Sequence, residues 1–263
     1  MIDVCGKTWS MTYFRNEHPT SESFFKHTHG DYEILYFVEG DAEYNVEGQI
    51  FRLHPHDIVF IPPARYHYLH LLSDEPYERY VFNFEARILP VDGQQRLDML
   101  NTVTSAKDNP RLRDCFLRLR EYRALVSESE FHLLARSALR EILINMFYSS
   151  SSASPRRVRC NPIIDRVIAL IDEHPERDWD AASLSAELFL SKSYLQNLFS
   201  RYMDIGLKNY INNKKVLYAQ TLLQSGMRAT DVCEECGFRD YSTFYRLFRK
   251  VTGQSPASVG KEE

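Results

Sequence analysis

The stretch GFRDYSTFYRLFRKVTGQSP, residues 237–256, combines a turn with a strongly patterned helix. Its apolar side chains recur every three or four residues, which is the period of one face of an α-helix. The predicted inner face consists of Phe244, Leu247, Phe248 and Val251, and the opposite face of Ser242, Tyr245, Arg246 and Arg249. Side chains of the second kind hydrogen-bond to base edges and phosphates in nucleic acids. The same residues also suit an ordinary solvated helix face, so one helix does not decide its role.

A second copy of this pattern lies upstream in the chain. LSAELFLSKSYLQNLFSRYMDI, residues 184–205, aligns with VCEECGFRDYSTFYRLFRKVTGQ, residues 232–254, with one residue of slack. Each copy predicts a short helix, a tight turn and a second helix, which is a helix-turn-helix. Ser191 is the predicted N-cap of the second helix in the first copy. That helix has an apolar face of Leu195, Leu198, Phe199 and Tyr202 and a polar face of Ser193, Gln196, Asn197 and Ser200. The duplication favours a DNA-binding role.

These segments resemble the C-terminal domain of the AraC/XylS family of bacterial transcription regulators, over about 100 residues. The matching signature positions are Gly237, Phe238, Asp240, Ser242, Phe244, Arg246, Phe248, Lys250, Gly253 and Pro256. The resemblance implies two helix-turn-helix units joined by a central helix, roughly Leu207 to Gln224. It also implies that two recognition helices enter successive major grooves, about 34 Å apart.

The resemblance assigns roles to individual residues by their position in the motif. The implied base-reading residues are Ser193, Gln196 and Asn197 in the first unit and Tyr241, Ser242, Tyr245 and Arg246 in the second. The candidates for phosphate contacts are Lys192, Arg201, Lys208, Lys215, Arg239, Arg249 and Lys250. Three positions depart from the family pattern: Phe189 and Asp204 replace frequent glycines, and Lys215 replaces a frequent arginine.

The rest of the chain predicts a separate β-rich domain. Up to about residue 90, aromatic and β-branched runs alternate with turn residues, which is typical of a sandwich or barrel. From Leu112 to Tyr148 the period becomes helical, and SSSSASPRR, residues 149–157, reads as a linker. The predicted fold class is α+β. The predicted domains are a sensor barrel at 1–95, a helical dimerisation region at 96–150, a linker at 151–158 and a DNA-binding domain at 159–263.

HTHGDYE, residues 27–33, raises the question of a metal site. His27, His29, Glu33 and the later Gly40 resemble the first cupin motif, and Pro62 and His67 resemble part of the second. The resemblance implies a small β-barrel with a cavity, although His56, Ala64 and Leu71 depart from the second motif. Two histidines, a glutamate and a third histidine suit a transition metal, but they equally suit a ligand pocket or a scaffold. We expect a ligand-binding role for His27, His29, Glu33, His67 and Tyr36, with no catalytic residue, resident metal or cofactor.

Charge distribution, missing motifs and cysteine usage limit the function classes and the location that the chain can have. The formal charge is −4 overall, but the chain from Pro155 onward carries 16 Lys and Arg against 14 Asp and Glu. Neither a Gly-rich phosphate loop nor a Gly-x-Ser-x-Gly elbow occurs in the sequence. Cys233 and Cys236 form a CxxC, for which we expect a structural role because further zinc ligands are missing nearby. Without an apolar signal or membrane-spanning stretch, we expect a cytoplasmic chain with reduced thiols.

Taken together, the sequence predicts a ligand-responsive transcription regulator that is not an enzyme. Its expected partners are double-stranded DNA, a small-molecule effector, RNA polymerase and a second copy of the chain as a homodimer. Activation of transcription and a sugar effector are family-level expectations. The alternative is a cupin-type metalloenzyme fused to a DNA-binding domain.

Overall fold

The computed structural model describes residues 1–20, 26–149, 157–159 and 161–259. The chain divides into two compact units, one of residues 1–27 and 31–159 and the other of residues 28–30 and 160–263. Residues 151–156 of the predicted linker lie outside the described residues. Arg157–Arg159, at the end of that linker, form a strand that pairs with Gln49–Arg52 of the first unit.

The first unit contains two antiparallel sheets. Its strands are β1 Ile2–Cys5, β2 Trp9–Asn16, β3 Tyr32–Glu39, β4 Ala42–Val46, β5 Gln49–Arg52, β6 Asp57–Ile61, β7 His67–Leu71, β8 Tyr77–Phe84, β9 Val103–Ser105 and β10 Arg157–Arg159. One sheet has the order β1-β2-β8-β3-β6-β9 and the other β10-β5-β4-β7. The two sheets pack face to face, but among the described residues no ladder of hydrogen bonds joins them, so the expected barrel is not closed. The α+β class is confirmed.

The six-stranded sheet is buried on both faces. One face packs against the four-stranded sheet through Leu35, Phe37, Val59, Ile61 and Val81 on its own side and Tyr44, Phe51, Leu53, Leu69 and Leu71 on the other. The opposite face packs against helices through Met11, Ile34, Tyr36, Ile58, Phe60, Tyr80 and Phe82. Because side chains alternate along a strand, odd-numbered and even-numbered positions of β3 serve different cores.

The helical layer consists of two long helices, as the period of residues 112–148 predicts. They are α2 Pro110–Leu125 and α3 Glu128–Tyr148, which follow a short α1, Val91–Gln94. Asn109 caps α2, since its side chain accepts a hydrogen bond from the N–H of Leu112 at 3.1 Å. Ser127 and Glu130 form a reciprocal capping box at the start of α3. Phe116 of α2 lies stacked on Tyr36, with ring centroids 4.3 Å apart, and so joins this layer to β3.

The second unit is entirely helical among its described residues from 161 onward. Its helices are α4 Pro162–Glu173, α5 Ala181–Glu187, α6 Lys192–Met203, α7 Leu207–Gln224, α8 Ala229–Glu235 and α9 Tyr241–Thr252. The predicted central helix is confirmed, because α7 has the expected bounds. Its N-terminal half packs on α4 and α6 and its C-terminal half on α8 and α9. The buried Lys214 of α7 donates to Asp172 of α4 at 2.8 Å, which fixes these two helices together.

Replacing Phe116 by alanine tests the sheet-to-helix core. Phe116 is fully buried and contacts the rings of Tyr36, Tyr80 and Phe82. We expect Phe116→Ala to lower the free energy of unfolding of the first unit by about 3 to 5 kcal/mol, because a cavity replaces the ring. Denaturant titration followed by near-UV circular dichroism measures this. Leu125→Ala, an exposed position of α2, should change the value by less than about 0.5 kcal/mol, and equal effects of the two substitutions would contradict the layer assignment.

Candidate functional site

The first helix-turn-helix consists of α5 and α6. Ser191 caps α6 as predicted, since its hydroxyl accepts a hydrogen bond from the N–H of Tyr194 at 3.3 Å. Leu195, Phe199 and Met203 of α6 are buried in the unit. The opposite face presents the predicted readers and one predicted phosphate contact, all of them exposed: Lys192, Ser193, Gln196 and Asn197.

The second helix-turn-helix consists of α8 and α9 and repeats this arrangement. Asp240 caps α9, because its carboxylate accepts hydrogen bonds from the N–H of Thr243 at 2.7 Å and from the Thr243 hydroxyl at 2.8 Å. These hydrogen bonds lower the pKa of Asp240. Phe244 and Phe248 are buried. The predicted contact residues of α9 comprise the exposed Tyr241, Ser242, Arg246, Arg249 and Lys250 and the half-buried Tyr245.

Both recognition helices end in a left-handed residue. Asp204 follows α6 with a φ of 55°, and Gly253 follows α9 with a φ of 74°. In each case the backbone N–H donates to a carbonyl four residues earlier, that of Ser200 or Arg249. The sequence departure at Asp204 is therefore accommodated without a change of cap, as short polar side chains tolerate this conformation better than most.

Lys215 does not join the other predicted DNA contacts. Its ammonium group forms an ion pair with Asp178 and lies over the ring of Phe238, 5.8 Å from the centroid. The side chain is only 11% exposed. This geometry gives Lys215 a role in holding α7 against the segments before α5 and after α8. The sequence pattern could not distinguish this position from an exposed one, because both favour a basic residue.

The CxxC pair lies in the core of the second unit. Cys233 and Cys236 are both buried, and burial raises the pKa of both thiols, that of Cys236 to about 12. Thiolates are the reactive and metal-binding form of cysteine, so a raised pKa disfavours both uses. The geometry agrees with the structural role expected from the sequence.

The histidines of HTHGDYE come together with residues of β3 and β7. One potential ligand atom from each of His27, His29, Glu33 and His67 lies within 4.8 Å of the others. His27 and His67 form a backbone bridge. The main-chain N–H of each donates to the carbonyl oxygen of the other, with nitrogen-to-oxygen distances of 3.2 Å and 3.0 Å. Nε2 of His67 lies 3.6 Å from a carboxylate oxygen of Glu33. The structure thus brings four of the five predicted ligand-binding residues to one place.

Neighbouring groups orient the buried members of this cluster. Nδ1 of His67 lies 2.8 Å from the carbonyl oxygen of Arg65, which can only accept, so Nδ1 donates its proton there and Nε2 is the ring nitrogen that faces Glu33. Oε1 of Glu33 accepts a hydrogen bond from the hydroxyl of Tyr44 at 3.1 Å. Imidazoles and carboxylates that bind metals usually have such outer partners. A transition metal is therefore chemically compatible with these side chains.

Tyr36, the fifth predicted ligand-binding residue, lies on the opposite face of β3. It is fully buried against Phe116, and its hydroxyl lies 2.7 Å from Nδ1 of His56. Burial raises the pKa of this hydroxyl to about 12. The separation follows from strand alternation, because Glu33 and Tyr36 differ by an odd number of residues.

Two further side chains lie near Glu33, and no recognised motif points to them. Arg79 and Tyr77 of β8 lie on the same side of the sheet as Glu33, and the guanidinium of Arg79 lies 5.7 Å from the centroid of the Tyr77 ring. Burial raises the pKa of Tyr77 to about 12. The available signal was the presence of charged residues inside the aromatic strand YERYVFNF.

A cavity of about 230 Å³ lies elsewhere in the first unit. Its walls come from the segment before β9 and from the end of α3, and they are lined by Arg96, Met99, Leu100, Asn101, Thr104, Met146, Phe147 and Ser149. Arg96 also donates a hydrogen bond to the carbonyl oxygen of Phe147 at 3.3 Å, which caps the end of α3. No residue of the histidine cluster lines this cavity.

Comparison with protein families assigns both units. A model described as an AraC-like ligand binding domain matches residues 9–143, and a helix-turn-helix domain model matches residues 184–262. The chain belongs to the AraC family. Like other members, it joins a ligand-binding N-terminal domain to a helix-turn-helix DNA-binding domain and is a ligand-responsive regulator of transcription.

Relatives of this AraC-family regulator carry the same type of description. It is 30% identical over 105 residues to the uncharacterized HTH-type transcriptional regulator YijO of Escherichia coli K12, covering 40% of this chain and 37% of YijO. It is 22% identical over 247 residues to the HTH-type transcriptional activator RhaR of the same strain, covering 89% of this chain and 86% of RhaR. A solved structure of ToxT from Vibrio cholerae has a TM-score of 0.40 and 13% identity, covering 95% of this chain and 97% of ToxT.

In the part of the chain that the structure describes, no helix is long and apolar enough to cross a membrane.

Two substitutions in this AraC-family regulator distinguish the structural role of Lys215 from the proposed phosphate contact of Arg249. We expect Lys215→Gln to lower the melting temperature, because it leaves Asp178 without its partner, and to leave the salt dependence of DNA binding unchanged. Arg249→Gln should do the reverse, reducing the slope of log K against log salt by about 1 with little change in melting temperature. Fluorescence anisotropy at several salt concentrations and a thermal melt measure both quantities. If Lys215→Gln reduces the slope of log K against log salt, Lys215 contacts DNA after all.

Proposed function

We propose that α6 and α9 enter successive major grooves of promoter DNA and read base edges through their exposed polar faces. The supporting observation is that two capped helices in one unit present matching polar surfaces while their apolar faces fill the core. The proposed readers are Ser193, Gln196 and Asn197 on α6 and Tyr241, Ser242, Tyr245 and Arg246 on α9. The proposed phosphate contacts include the exposed Lys192, Arg249 and Lys250. Such contacts hold the protein in register on the duplex.

RNA polymerase is the proposed partner at the promoter, and the cytoplasm is the proposed location because the DNA of a bacterium lies there. Activation is the proposed direction of regulation, supported by the description of RhaR as an activator. The effector acts by binding one arrangement of the regulator more tightly than another, which shifts their populations.

The proposed effector site is the cluster of His27, His29, Glu33 and His67. Its support is the convergence of four ligand atoms within 4.8 Å, together with the hydrogen bond that His67 donates to the carbonyl oxygen of Arg65 and the one that Glu33 accepts from the hydroxyl of Tyr44. Three imidazoles and one carboxylate suit iron, nickel, zinc or manganese. A bound ion would supply a positive charge and an open coordination position for an oxygen-bearing effector, such as a sugar derivative or a carboxylate.

A cupin-type metalloenzyme in the N-terminal domain is a second candidate, favoured by the same cluster. The proposal that the chain is not an enzyme rests on its membership of a family of transcription regulators. The two candidates differ in what happens to the bound compound. An enzyme converts it to a product, whereas a sensor releases it unchanged.

Dimerisation is proposed through the outer face of α3. Leu133 and Ile144 are 64% and 51% exposed although both are large and apolar. They are eleven residues apart, which is close to three helical turns, so they lie on one side of the helix. Pairing two copies would place two DNA-binding units on repeated half-sites and raise the overall affinity.

Single substitutions test the DNA contacts. We expect Arg246→Ala to weaken binding to a selected operator by about 1 to 3 kcal/mol and to relax specificity at one base position. The probe is a duplex of roughly 40 base pairs, selected from a random library by the wild-type protein, long enough for several helical turns. Arg166→Ala on α4, an exposed arginine outside both helix-turn-helix units, serves as the control. Unchanged affinity for Arg246→Ala would remove Arg246 from the contact list.

Metal titration tests the effector site. We expect Zn²⁺ or Ni²⁺ to bind with one ion per chain, to raise the melting temperature and to bind more weakly as the pH falls, because protons compete for the imidazoles. His67→Gln should abolish this, while His70→Gln, an exposed histidine on the same strand, should not. Binding that survives His67→Gln would place the metal elsewhere, and turnover of a metabolite by the metal-loaded protein would favour the enzyme.

Charge introduced on α3 tests the dimer. We expect the wild-type protein to sediment as a dimer of the 30.9 kDa chain and Leu133→Asp with Ile144→Asp to sediment as a monomer. Val91→Asp, at an apolar position of α1 that is 71% exposed, should leave the dimer intact. A dimer that persists in the double variant would show that another surface forms it.

A further inference from the structure

The turns inside the two helix-turn-helix units have the same backbone. After α5, the N–H of Leu190 donates to the carbonyl oxygen of Ser185 at 2.8 Å and that of Phe189 to Ala186 at 3.2 Å. This pair of hydrogen bonds defines a Schellman motif, in which the residue after the cap adopts a left-handed conformation. That residue here is Phe189, with a φ of 56°.

The turn after α8 provides an internal reference. There the N–H of Phe238 donates to the carbonyl oxygen of Cys233 at 3.0 Å and that of Gly237 to Glu234 at 2.9 Å. The left-handed residue is Gly237, with a φ of 68°. The chain therefore uses glycine in one copy of this turn and phenylalanine in the other. A side chain bearing a Cβ atom is disfavoured in this conformation, whereas glycine is not.

Folding does not account for phenylalanine at this position. The residue is 95% exposed, so its ring gains almost nothing from burial in the unit. It combines an unfavourable backbone conformation with an exposed aromatic ring, and residues of this kind cluster at binding sites. Neither feature is required by the turn, since Gly237 forms the same hydrogen bonds.

Phe189 lies beside the proposed DNA-binding face. It precedes the N-cap Ser191 by two residues and the proposed reader Ser193 by four. Four residues of chain span at most about 14 Å, so the ring is within reach of the groove that the start of α6 enters. Lys192, next to the cap, is also exposed and supplies a positive charge for the DNA backbone at this point.

We propose that Phe189 contacts DNA, with its ring against deoxyribose carbons and a thymine methyl group at the edge of the major groove that α6 occupies. Apolar side chains, including phenylalanine, contact thymine methyl groups in this way. The inference rests on the proposed placement of α6. It gives the first unit an apolar contact at a turn position where the second unit has Gly237, so the two units would differ in the bases they prefer.

The test measures stability and DNA affinity in the same variants of the full chain. We expect Phe189→Gly to raise the melting temperature by a few °C, on the order of the effect of relieving one strained residue. It should also weaken binding to the selected duplex about tenfold, as for the loss of a buried apolar contact. The slope of log K against log salt should stay unchanged, because no ionic contact is lost. Phe189→Asn, which also tolerates this conformation, should behave similarly, and Phe189→Tyr should keep the affinity of the wild type.

The outcomes are distinguishable. Unchanged or tighter DNA binding by Phe189→Gly and Phe189→Asn overturns the contact, and so does a lower melting temperature for Phe189→Gly, which would show that folding needs the ring. Loss of transcription without loss of DNA affinity overturns it too and indicates a protein partner at this surface. Gln196→Ala is measured in parallel. If neither Gln196→Ala nor the Phe189 variants weaken DNA binding, the proposed placement of α6 in the groove is wrong. If Gln196→Ala weakens DNA binding and the Phe189 variants do not, only the proposed contact of Phe189 is wrong.

Discussion

Burial of the six-stranded sheet on both faces is the constraint on which the N-terminal domain depends. In β3, alternate side chains enter two different cores, one shared with the second sheet and the other with α2 and α3. A shift of one residue in the register of β3 would exchange these two sets. The alternation also determines which side chains meet in the histidine cluster, because it directs Glu33 toward His67 and Tyr36 toward Phe116. One strand thus connects the proposed effector site to the helices that carry the proposed dimer face.

A comparable constraint organises the DNA-binding domain. The central helix α7 packs against both helix-turn-helix units, and its two adjacent lysines anchor it by ion pairs, Lys214 with Asp172 and Lys215 with Asp178. Because both units pack on the same rigid helix, their recognition helices hold a fixed spacing within the domain. The proposed entry of α6 and α9 into successive major grooves requires such a fixed spacing.

The sequence predicted the features that depend on local period and repetition. The cap at Ser191 and the split of each recognition helix into two faces follow from patterns within about ten residues. The bounds of α7 follow from the resemblance to the AraC/XylS family. The convergence of His27, His29, Glu33 and His67 could be predicted because it follows a motif.

Features that depend on packing between distant segments could not be predicted from the sequence. The open arrangement of the sheets, the burial of Lys215 and the position of Arg79 beside Glu33 are set by tertiary contacts. The expectation that Tyr36 shares a site with the histidines overlooks strand parity, which separates it from Glu33.

Chemical footprinting of the wild-type protein on a selected operator tests the central claim most directly. If both helix-turn-helix units read DNA, each chain should protect two major-groove segments on one face of the duplex, centred about 10 base pairs apart. Interference by methylation of guanine N7 should map to the same two segments, since that atom lies in the major groove. A single protected segment per chain, or two segments whose spacing is not a whole helical turn, would contradict the account.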